Sequence, residues 1–138
     1  MISRTLKQAL LLAVLAAIPA LISARLQLRF VHQEALQPGE IGAATARQWG
    51  DQVQWVDARP LVHFSKGHVP GAILLNLENW ESLIPKFLDA WDPDKTVIVY
   101  CDGGSCDASR AVADRLRDDY QIKPIYVLKG GWPAWQAK

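Results

Sequence analysis

Cys101 follows an apolar, β-branched run, Thr96–Tyr100, and precedes the segment Asp102-Gly103-Gly104-Ser105-Cys106-Asp107. That pattern reads as a buried strand, a glycine-bearing loop and the start of a helix. In an open α/β sheet, sites form outside the carboxyl ends of the strands. Amides from Asp102 to Ala108 can turn inward as a nest, and a helix starting near Asp107 adds its positive end, so this place suits an anion. The same field favours thiolate over thiol and would lower the Cys101 pKa below the free value of about 8.5. Cys101 is therefore the candidate nucleophile, and residues 102 to 107 are the candidate substrate-binding loop. The position also suits a small buried hydrophobe, a common use of cysteine.

The elements around this loop follow from pattern. Residues 54–57, QWVD, form a short apolar strand that runs into a long polar turn, ARPLVHFSKGHVPG. Residues 72–75 are a second apolar run. Leu77, Trp80, Leu83, Ile84, Phe87, Leu88 and Trp91 then recur at spacings of three and four, which predicts an amphipathic helix stopped by Pro93. TVIVY at 96–100 is apolar on consecutive positions, as a strand covered on both faces is. Ala108, Ala111, Val112 and Leu116 mark another helix, ending near Asp119. Residues 125–128 are a strand, and Gly130-Gly131 turns into a short terminal helix with Pro133 in its first turn. Strand–helix alternation with short connections predicts an α/β domain with a mainly parallel sheet flanked by helices.

The chain has 138 residues, enough for one domain and an extension. Arg4, Lys7, Arg25 and Arg29 fall in residues 1–29, which hold no carboxylate, so residues 30–138 carry 11 basic against 14 acidic side chains. Nucleic acid is excluded as a partner by that acidic balance. Two cysteines build no disulfide framework. Residues 9–24 are free of charge and apolar all round, between the usual lengths of a spanning helix and a signal core. Ile22 is bulky for a signal cleavage site, so 1–29 is read as an uncleaved, single-pass transmembrane anchor, with a cleaved signal segment as the alternative. Cations flank both ends, and the favoured orientation puts the domain outside, in a bacterial periplasm where neighbouring cysteines can oxidise. Residues 30–40 read as a linker containing Pro38-Gly39, and 41–138 as the folded domain.

Four segments in order resemble a single rhodanese domain. VDARP at 56–60 resembles the family's Asp-Val-Arg corner, and FSKGHVPGA at 64–72 matches its aromatic, His and Pro-Gly-Ala signature. VIVYC at 97–101 resembles the strand that delivers the catalytic cysteine, and VLKGGWPAW at 127–135 the closing Gly-Gly-Trp segment. The resemblance implies a sulfurtransferase: Cys101 takes up sulfane sulfur as a persulfide and passes it to a thiophilic acceptor, such as cyanide or a thiol. The loop amides would stabilise the anionic persulfide, with no metal or organic cofactor.

The loop departs from the family pattern. Cys106 stands where a basic residue is usual, the loop is about two residues longer, and the first arginine, Arg110, is already in the helix. Asp102 and Asp107 replace cations at the rim, which favours a neutral or protein-borne persulfide as donor over thiosulfate. A phosphatase or arsenate reductase on this fold needs Cys, five residues, then Arg, and is opposed by Asp107. Cys106 also opens a redox reading, as a resolving thiol or reversible disulfide partner of Cys101; a structural cysteine at a helix start is the plainer one. A catalytically silent binding module is a third alternative. Asp57 and Arg59 read as a corner tie, with Arg59 reaching the pocket rim. His68 reads as a loop lock, His63 as a flanking residue, and Trp132 or Trp135 as a pocket border. Zinc on His63, His68, Cys101 and Cys106 suits by residue type alone, and no metal site is expected.

Overall fold

A computed structural model of the protein describes residues 35–137 and the isolated positions Gln8, Ile18, Pro19 and Ser23. Apart from those isolated positions, the apolar run 9–24, read above as a membrane segment, lies outside the described residues. Among the described residues no helix is long and apolar enough to cross a membrane.

Strand and helix alternate as β1 (Glu40–Ile41), α1 (Ala43–Gln48), β2 (Val53–Asp57), α2 (Leu61–Lys66), β3 (Ile73–Leu74), α3 (Trp80–Ala90), β4 (Thr96–Tyr100), α4 (Asp107–Tyr120), β5 (Ile125–Leu128) and α5 (Gly131–Gln136). One sheet results, in the order β1-β5-β4-β2-β3. Every neighbouring pair is parallel. The central strand is β4, whose residues Val97 to Tyr100 are completely buried. Its alternation sorts side chains between two cores. Val97, Val99 and Cys101 pack with Trp80, Ile84 and Phe87 of α3 and Val112 and Leu116 of α4. Ile98 and Tyr100 pack on the other face with Ala46 of α1 and with Trp132 and Trp135 of α5. The α/β class with a parallel sheet flanked by helices is therefore the observed architecture.

Three boundaries differ from the sequence expectation. Residues 58–71 are not one long loop, because α2 opens after Pro60, whose φ of −57° suits a first helical turn. Leu61 and Val62 are 59% and 57% exposed, so α2 has no apolar face and left no periodic signal. The linker assigned to 30–40 ends in the sheet: Glu40 and Ile41 pair with Val127 and Leu128. A two-residue edge strand is too short to show alternation. The helix assigned from Leu77 begins at Trp80, and Leu77 is an exposed loop residue.

Candidate active site

Cys101 lies where β4 stops. In register beside it, Asp57 closes β2 opposite Tyr100, and the Ala58 amide donates to the Tyr100 carbonyl at 2.8 Å. The corner after β2 is fastened by a buried ion pair. Asp57 Oδ1 accepts from the Arg59 backbone amide and from Nε, each at 2.9 Å, while Oδ2 accepts from an Arg59 terminal nitrogen at 2.6 Å. The Tyr100 hydroxyl donates to the same Oδ2 at 2.7 Å and accepts from the Val69 amide at 3.0 Å. Arg59 also donates to the Gly67 carbonyl at 2.7 Å, and its guanidinium lies 4.8 Å from the centre of the Trp132 ring. Burial works against the Arg59 charge, but Asp57 outweighs it and raises the pKa. Burial pushes the Tyr100 phenol up as well, and donation to Asp57 acts in the same direction.

Cys101 is 5% exposed. It sits in a cleft of about 220 Å³ lined by Arg59, Asp102, Gly103, Ser105, Cys106 and Asp107, among others. The Gly103 amide donates to Cys101 Sγ at 3.4 Å, and Sγ lies 3.7 Å from the Gly103 carbonyl. Gly131, at φ +56°, presses on the same point: a Cβ there would lie 2.3 Å from the Cys101 carbonyl oxygen. The following amide, of Trp132, donates to that oxygen at 2.7 Å. The Gly-Gly-Trp segment thus holds the backbone from which Cys101 projects.

Cys106 is 4% exposed and belongs to the same core cluster as Cys101. It takes φ 57° and ψ 24° at the N-cap of α4. Its thiol points to the Leu128 carbonyl at 3.8 Å, and it lines the same cleft as Cys101. Burial pushes the Cys106 thiol up, and Cys101 adds to the rise. Asp107 opens α4 and accepts from the Ser105 hydroxyl at 2.5 Å, so a carboxylate of the chain's own sits at the helix's positive end.

The loop read from the sequence, Asp102 to Asp107, lines this cleft apart from Gly104, which sits in the turn at φ +72°. Arg59 also lines it, with a nitrogen 3.7 Å from Asp102. Trp132 borders a second cavity of about 330 Å³, with Arg59, His63, Lys66 and Asp102. His63 is brought to the site by an Nδ1–Asp102 Oδ2 contact of 2.7 Å. No spacing between residues 39 apart announces that contact. His68 stays outside the cleft, bonded to the Phe64 carbonyl at 2.9 Å and stacked on the Phe64 ring. Arg110 does not reach Cys101 but pairs with the buried Glu40, as Lys129 does at 3.5 Å. Burial raises the Glu40 pKa, but the Gln37 amide, Lys129 and Arg110 outweigh it and hold the carboxyl below its usual range. Among the described residues no group of three or more His, Cys, Asp or Glu converges as a metal site. Tyr100 and Gly131 are the positioning residues that sequence reasoning missed; one resembled core and the other a turn.

Comparison with known proteins adds the following. The family model of the rhodanese-like domain matches residues 41–138. The chain is 35% identical over 85 residues to a protein of Shewanella oneidensis named thiosulfate sulfurtransferase GlpE, covering 60% of this chain and 75% of that one. A protein of the same name from Glaesserella parasuis is 36% identical over 80 residues, covering 58% and 68%. Among solved structures, a rhodanese-like domain protein from Staphylococcus aureus superposes with a TM-score of 0.53 at 23% identity, over 70% of this chain and 89% of that one.

Proposed function

The chain belongs to the rhodanese-like domain family and is a rhodanese-type sulfurtransferase, and from that premise we propose that Cys101 carries sulfane sulfur as a persulfide and passes it to a thiol acceptor. The observation that supports this most is the placement of Cys101: at the end of β4, in a small cleft, with the Gly103 amide directed at its sulfur at 3.4 Å. A backbone donor beside the sulfur can stabilise the negative charge that accompanies uptake and release. No metal or organic cofactor takes part in this scheme.

The donor is proposed to be a neutral or protein-borne persulfide. The related proteins are named for thiosulfate, but here Asp102 and Asp107 line the cleft and Arg59 is committed to Asp57. A dianion therefore meets two carboxylates and a cation already paired. The test is sulfur transfer to glutathione by the full chain from a persulfide-loaded donor protein and from thiosulfate. The protein-borne persulfide should give the faster transfer, and Cys101→Ser should abolish transfer from both above the uncatalysed rate. Equal rates would remove the donor preference, and transfer surviving in Cys101→Ser would remove the role of Cys101.

The run 9–24 is proposed as a single-pass membrane anchor, with a cleaved export signal as the alternative, and the domain is placed in the periplasm. Its apolar composition supports this reading. Recovery of the full chain in a soluble cytoplasmic fraction would refute it.

A further inference from the structure

We propose that Cys106 is a resolving thiol: it attacks Cys101 Sγ of the persulfide, so that the chain turns bound sulfane sulfur into hydrosulfide and is left with a Cys101–Cys106 disulfide. This rests on the persulfide reading of Cys101 and adds an internal acceptor to it.

Two thiols face one small cleft. Cys101 and Cys106 both line it, both are free thiols, and both belong to one buried core cluster. A cleft of about 220 Å³ lies below the roughly 300–1,000 Å³ of ordinary ligand sites. An acceptor already inside needs no entry past Asp102 and Asp107. The backbone gives a second, independent observation. Only Cys106 and Gln121 are non-glycine residues at positive φ among the described residues. Gln121 ends α4, where the left-handed conformation is an ordinary stop; Cys106 precedes its first turn, where it is not. A glycine there would remove the strain, yet the chain keeps a thiol. Gly103 and Gly104, both at positive φ, form the bend that returns position 106 to the end of β4.

The step balances without another oxidant. Cys106 gives up its proton and its sulfur bonds to Cys101 Sγ; the bond from Sγ to the outer sulfur breaks, and that sulfur leaves with the electron pair as hydrosulfide. The sulfane sulfur is reduced by two electrons and the two cysteines are oxidised by two. A dithiol reductant, entering by thiol–disulfide exchange, restores the pair. Attack on the outer sulfur instead would move the persulfide to Cys106 and release nothing.

The test uses the full chain, reduced, loaded with one equivalent of inorganic polysulfide, freed of excess and held without added thiol. Intact mass, peptide mapping and sulfide are followed together. The expected course is an adduct of about +32 Da on Cys101 decaying to a species about 2 Da below the reduced chain, with one equivalent of sulfide released. In Cys106→Ser and Cys106→Ala the Cys101 adduct should persist at least about tenfold longer and release no stoichiometric sulfide. A cooperative urea unfolding transition like that of the wild type shows that either variant is folded. An adduct equally long-lived in wild type and variants, or one that migrates to Cys106, overturns the proposal and leaves Cys101 persulfide chemistry standing. Absence of any adduct on Cys101, in wild type and variants alike, overturns both.

Discussion

The corner after β2 and the loop after β4 border the same cleft and are held in opposite ways. In the corner, Asp57 and Arg59 are 0% and 3% exposed and bound by short, charge-assisted contacts, with Tyr100 and Gly67 taking further positions around them. In the loop, the reactive groups are held by sulfur contacts of 3.4 to 3.8 Å and by backbone at positive φ at Gly103, Gly104 and Cys106. Oxygen and nitrogen contacts fix a geometry, whereas sulfur contacts are weak and long. The part that must not move is therefore built from buried charge. The part in which the proposed chemistry has a sulfur exchange bonding partners is built from groups that release it.

Removing the charge from the corner should have the largest effect. Asp57→Ala leaves a buried guanidinium with only the longer contact to the half-exposed Asp102 and should cost about 3–5 kcal/mol in urea unfolding. A cost below about 1 kcal/mol would mean that the corner is no firmer than a surface pair. Gly131→Ala forces a Cβ against the Cys101 carbonyl and should cost about 1–3 kcal/mol, with slower sulfur uptake because the backbone carrying Cys101 must shift; an unchanged midpoint and rate would show that this segment does not position the nucleophile.

Alkaline pH should separate the regions further. Cys106 faces the Cys101 thiol and the Glu40 carboxylate, itself paired with Arg110 and Lys129, and its pKa is raised. The unfolded chain then gives up this proton before the native one does, so stability falls as pH rises above the ordinary thiol value of about 8.5. Cys106→Ala should flatten that slope and leave the later loss from Tyr100, also raised, in place. Denaturant midpoints across this range would show it. The smallest effect belongs to the rim: His63 and Asp102 are 44% and 52% exposed, so His63→Gln should change stability by less than about 1 kcal/mol.

The sequence was legible where burial is continuous. Residues 96–100 and 125–128 occur as strands with the expected limits, because β4 and β5 are covered on both faces and read as unbroken apolar runs. The loop containing Cys101 and Cys106 was legible as a turn between such a strand and a helix. What stayed hidden has no local period. α2 turns Leu61 and Val62 outward, and β1 is two residues that pair with β5 at the sheet edge. The Asp102–His63 contact and the pressure of Gly131 on Cys101 arise only once distant segments meet. The left-handed conformation of Cys106 could not be read from its type, since cysteine has no preference for it.

The most direct measurement is peptide mapping of the reduced full chain by mass after brief exposure to polysulfide. The account predicts a gain of about 32 Da on the peptide that carries Cys101. A folded, reduced protein that takes up no sulfur, or takes it up on Cys106 while Cys101 stays unmodified, would contradict it.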